Sequence, residues 1–107
     1  MTGRSYRAFR EGNRCTVSIF DGIKTTALPQ RQGLINHSPD GFGWGYGGSG
    51  PSQLALAMCA DALGDDREAV RVYQAFKNAF VALQTGDEWE VSAAEVRAII
   101  HRLGHAG

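Results

Sequence analysis

The sequence predicts an α+β fold: a three-stranded antiparallel meander packed against three helices. Three observations carry this. Apolar–polar alternation is confined to residues 5–28, helical periodicity to residues 51–104, and a glycine- and aromatic-rich segment, residues 29–50, joins the two. Strands gathered first and helices second build separate layers around one core. At 107 residues the chain forms a single domain, 1–107, able to bury one modest core.

The central strand is the clearest element. Over residues 14–20, Cys15, Val17 and Ile19 share one face and Arg14, Thr16 and Ser18 the other. That period of two marks a half-buried strand. Asp21-Gly22 follows and reads as a tight type I′ hairpin turn, whose central positions both need positive φ. Residues 23–28 form the returning strand and Pro29 ends the sheet. Upstream, residues 6–10 form a third strand, joined through Glu11-Gly12-Asn13. Such a sheet buries one face, so the helices must cover it.

Pro51 suits the first turn of a helix, where its missing N–H has no intrahelical partner to lose. The run SQLALAMCADALG is apolar nearly all round apart from Gln53 and Asp61, which predicts a central buried helix. Gly64 ends it. Asp65 or Asp66 caps the next helix, in which Val72, Phe76, Phe80 and Leu83 form one face until Gly86-Asp87 breaks it. Residues 88–91 are read as a short extended segment. Ser92 and Glu95 have the capping-box spacing. The last helix buries Val96, Ile99, Ile100 and Leu103, stops at Gly104, and leaves a frayed tail at 105–107.

Composition narrows the function classes. Lys and Arg number 11 and Asp and Glu 11, so formal net charge is zero and duplex nucleic acid is a disfavoured partner. A small anionic ligand, which needs only a local positive site, stays open. The first residues hold no apolar run, so no secretory signal is expected. The longest apolar run, residues 54–60, is far too short to span a membrane. No membrane partner is expected, and the setting is cytoplasmic, with Cys15 and Cys59 as reduced, buried thiols. A homo-oligomer is compatible with the sequence.

The segment HSPDGFGWGYGGSGP, residues 37–51, holds six of the 14 glycines. Gly47, Gly48, Ser49 and Gly50 lead into a helix whose first amides lack internal partners and favour an anion. Ser52 offers a further hydroxyl. Phe42, Trp44 and Tyr46 alternate with glycine, and in an extended chain they would share one side and form a shelf on which a base could stack. His37, Ser38 and Asp40 could orient a ribose or base edge, and Lys77 could reach the anion. These residues make one candidate ligand site, with no metal and no cofactor. The structural alternative is equally consistent with the letters: aromatics plugging the core and glycines making turns.

Catalytic templates fail. G-x-G-x-x-G is matched at residues 45–50 without the strand and βαβ unit it needs, and no Walker lysine follows Gly50. Residues 47–51 resemble a nucleophile elbow except that Pro51 stands where glycine is required. His101 and His105 are four apart, but Gly104 separates them. A hydrolase would need His37 as base with Asp40 beside it.

The loop at residues 37–51, with Tyr6-Arg7, the Leu-Ala-rich stretch 54–60, Tyr73-Gln74-Ala75-Phe76-Lys77 and Trp89, resembles a small, functionally uncharacterised family of bacteria, phages and plasmids with an HSP-x-GF-x-WGY-x-GSGP signature. Ala8 departs from the glycine usual in the opening strand. The resemblance implies no activity. Its phage and plasmid setting implies an anti-defence role. The expectation is therefore a non-enzymatic binder that sequesters a nucleotide-derived signal. The alternative is a protein-interaction module that inhibits a host protein partner through the aromatic loop.

Overall fold

The computed structural model describes residues 3–104; the expected frayed tail, with His105, lies outside the described residues. Strands β1 (Ser5–Glu11), β2 (Arg14–Phe20), β3 (Thr25–Ala27) and β4 (Glu88–Ser92) form one antiparallel sheet in the order β3-β2-β1-β4. The expected three-stranded meander is thus corrected to four strands. The extended segment before the last helix returns to pair with β1, with Tyr6 opposite Val91 and Ala8 opposite Trp89. Tyr6, Ala8, Val17, Ile19 and Val91 point to one buried face, while Arg7, Phe9, Thr16 and Glu90 point to solvent.

The turn between β2 and β3 also differs from expectation. It spans four residues, and the Asp21 carboxylate accepts the amides of both Ile23 and Lys24 at 2.9 Å. Gly22 has φ of 99°, but Asp21 does not join it in the left-handed region, so no type I′ turn forms. An aspartate that bonds the backbone two and three residues ahead closes the wider loop instead.

Three helices cover the sheet: α1 (Ser49–Leu63), α2 (Asp66–Ala79) and α3 (Ala93–Arg102). The first begins two residues before Pro51. It is buried almost all round and ends at Gly64 with φ of 64°, as its composition predicted. Asp65 caps α2 by accepting the amides of Arg67 and Glu68. This helix stops at Ala79, earlier than its periodicity suggested. Phe80 leaves helical geometry at φ of −135°, a single 3-10 turn (Val81–Leu83) follows, and Val81 is buried while Leu83 is left 66% exposed. Ser92 accepts the amide of Glu95 and caps α3, although the Glu95 carboxylate turns towards Arg102. That helix buries Val96 and Ile100, half-buries Ile99 and leaves Leu103 exposed.

The two polar residues of the apolar run in α1 are its grips on the rest of the fold. Asp61 accepts two hydrogen bonds from the Arg4 guanidinium, at 2.8 and 3.0 Å, and one from the Tyr6 hydroxyl at 2.7 Å, tying helix to sheet. Gln53, fully buried, ties the helix to the loop that precedes it. The connection between α1 and α2 is two residues long, so the helices run antiparallel. The last turn of α2 therefore lies at the same end of the molecule as the first turn of α1.

Candidate functional site

The loop leading into α1 is held from three sides. Gln53 accepts the backbone N–H groups of His37 and Ser38 at 2.7 and 3.1 Å and donates to the carbonyls of Gln30 and Ile35 at 2.7 and 3.0 Å. A buried amide side chain must find partners for its donors and acceptor, and this one finds all of them in the loop. The Gly45 amide donates to the Val81 carbonyl. Arg10 bonds the Asp87 carboxylate and the carbonyls of Gly86 and Trp44, and its guanidinium lies 5.0 Å from the centre of the Trp44 ring.

The three loop aromatics do not form a shelf, which corrects the expectation of a shared face. Trp44 is 1% exposed; its indole N–H donates to the Gly86 carbonyl and its ring meets Trp89 edge to face. Phe42 is half-buried against the core. Tyr46 alone is open, 55% exposed. Alternation puts side chains on one side only while the backbone stays extended. Gly45 has φ of 85°, which turns the chain between Trp44 and Tyr46.

The glycines have a second purpose. A Cβ on Gly43 would lie 2.6 Å from the Tyr46 hydroxyl, one on Gly48 2.7 Å from its ring, and one on Gly50 2.8 Å from its hydroxyl. The ring is thus folded back onto a glycine bed over the first turn of α1. Beneath and beside it, the amides of Gly47, Gly48, Ser49 and Gly50 make no hydrogen bond to any described residue. The helix start has no side-chain cap and no acidic residue in its first turn. Nothing within its own first turn offsets the positive end of this 15-residue helix. Ser49 is exposed, Ser52 is buried, and Lys77, half-buried in the last turn of α2, belongs to the same end of the molecule.

The other expected site residues fall elsewhere. The His37 imidazole meets the Tyr73 hydroxyl at 2.5 Å, and the Ser38 carbonyl accepts from Gln32, so both are absorbed in holding the loop. Asp40 is exposed and, with Gly41 and Phe42, lines a separate cleft of about 640 Å³ with Glu11, Arg14, Cys15 and Gln30, to which no residue of α1 contributes. The His37–Asp40 pair that hydrolysis would need is not assembled: His37 pairs with Tyr73 instead. Burial pushes the Cys59 thiol up to about 12, which makes it inert at neutral pH. Sequence reasoning missed the part that Gln53 plays in holding the loop, for which a lone amide in an otherwise apolar helix was the available signal.

Fold and site define a small α+β protein whose central helix starts bare beneath a tyrosine lid. The chain belongs to a family of unknown function, DUF6166, whose model matches residues 5–102. No curated protein and no solved structure matches it.

Proposed function

We propose that the protein is a non-enzymatic binder of a small anionic, nucleotide-like ligand, seated at the start of α1. The observation that carries this reading is the run of unpartnered amides at residues 47–50, beside an exposed tyrosine and with no acidic group in the turn. A phosphate would accept from those amides and the Ser49 hydroxyl, with the helix dipole adding about 0.3–1 kcal/mol. Lys77 would add a point charge. Tyr46 would swing off its glycine bed and stack on the base. Trp44 is excluded from that role because its ring is buried. In the phage and plasmid setting that the resemblance implies, such a binder would sequester a nucleotide signal. The rival reading, inhibition of a host effector by an aromatic patch, keeps Tyr46 but loses Trp44 to the core.

The test is calorimetric titration with linear nucleotides and cyclic dinucleotides against wild type, Tyr46→Ala and Lys77→Gln. Saturable binding weakened about tenfold or more by Tyr46→Ala is expected, in line with about 1–3 kcal/mol for stacking one base. Silence of the wild type towards every nucleotide would end the reading.

A further inference from the structure

The two edges of the sheet are not alike. On β4, Glu88 and Glu90 are exposed, and acidic side chains along an edge discourage pairing with another strand. On β3, Thr25, Thr26 and Ala27 are all exposed and uncharged, and Ile23 beside them is 86% exposed.

The ladder shows which backbone groups that edge presents. Asp21 donates to the Lys24 carbonyl at 3.2 Å and Leu28 to the Val17 carbonyl at 3.0 Å, which marks Asp21–Lys24 and Val17–Leu28 as hydrogen-bonded pairs. Such pairs alternate along an antiparallel ladder, so Ile19–Thr26 between them is one as well. Thr25 and Ala27 therefore turn their N–H and C=O groups away from β2, towards the open edge. No described residue bonds them there.

We propose that this edge pairs with β3 of a second copy, antiparallel about a two-fold axis at Thr26. The register is self-complementary. Thr25 faces Ala27 of the other copy, so each pair exchanges both of its outward hydrogen bonds, and Thr26 faces Thr26. The exposed Ile23 comes opposite Pro29, apolar against apolar. No like charges face each other within the paired stretch. The ladder is bounded at both ends, because Pro29 has no N–H and the Ile23 amide is taken by Asp21. The interface is therefore short, and the dimer is weak and concentration-dependent.

Sedimentation velocity from micromolar to millimolar protein tests it. The weight-average mass of wild type should climb towards twice that of the monomer. Ala27→Pro removes an outward N–H and leaves the Leu28–Val17 bond intact, so it should hold the protein at the monomer mass. Thr26→Lys sets two cations face to face at the axis and should do the same, which keeps the test in hand if the proline variant does not fold. Glu88→Lys, on the other edge, should leave the rise unchanged. A wild type that stays monomeric to the highest concentration overturns the proposal. So does a rise that survives in either folded β3 variant.

Discussion

The side-chain oxygen of Gln53 accepts the backbone N–H of His37 at 2.7 Å, and through this contact the central helix fixes the loop that leads into it. The same side chain holds Ser38, Gln30 and Ile35. Replacing it strips partners from several buried groups at once. Gln53→Ala should destabilise by about 3 kcal/mol, since each orphaned buried group costs about 1–3 kcal/mol and entering water recovers part of the loss. A urea titration that finds less than about 1 kcal/mol would show that the loop holds without it.

Asp61 should set the acid limb of the stability curve. Burial by itself would raise its carboxyl, but hydrogen bonds from Arg4 and Tyr6 and the charge of Arg4 outweigh it and hold the group below the usual carboxylate range. A depressed folded value contributes stability above the unfolded value and loses it as pH falls through the folded one. The loss therefore begins near pH 4 and deepens below it. Asp61→Asn should be less stable than wild type at neutral pH and should show a flatter decline under acid. Denaturant midpoints measured from pH 7 to pH 2 decide this.

Tyr6 governs the alkaline side. Burial is the main cause that pushes its hydroxyl up from the usual value of 10.0, with the bond to the Asp61 carboxylate adding to it. A raised folded value gives stability present below the unfolded value and lost as pH climbs beyond it. Wild type should weaken from about pH 10 upwards, and Tyr6→Phe should not share that component. At neutral pH Tyr6→Phe should cost about 2 kcal/mol, the range for a hydrogen bond to a charged acceptor.

The layered α+β fold was legible because alternation over residues 14–20 and the apolar run 54–60 are local signals. The Gly64 and Asp65 caps were legible for the same reason. The fourth strand was not, because its partner β1 lies some eighty residues upstream and a five-residue segment shows little periodicity of its own. Phe80 and Leu83 kept helical spacing after the helix itself had ended. In the site, residues 47–50 stand at a bare helix start, as read from Pro51 and the glycines before it. The shelf was misjudged because one positive φ at Gly45 reverses the side to which the chain points, and a string of letters does not carry that angle.

Trp44 and Tyr46 should separate cleanly under substitution. Trp44→Ala removes a ring buried against Trp89 together with its bond to Gly86, and should cost about 3–5 kcal/mol. Tyr46→Ala removes an exposed ring and should change the melting temperature little. Equal losses in thermal melts would mean that the tyrosine packs as firmly as the tryptophan.

The glycine bed offers a sharper discrimination. A methyl at position 48 meets only the Tyr46 ring, 2.7 Å away, and an exposed ring can swing aside. A methyl at position 50 also meets the backbone of Gly43, at 3.0 Å from its nitrogen and 3.2 Å from its Cα, and the backbone has less freedom to yield. Gly50→Ala should therefore cost about 1–3 kcal/mol, as overpacking does, and Gly48→Ala clearly less. In a Tyr46→Ala background the penalty of Gly48→Ala should vanish, while much of that of Gly50→Ala should persist. The coupling comes directly from the two double-mutant cycles, measured by chemical denaturation. Equal coupling of both glycines to Tyr46 would mean that the ring, and not the backbone of Gly43, sets the tolerance at the start of α1.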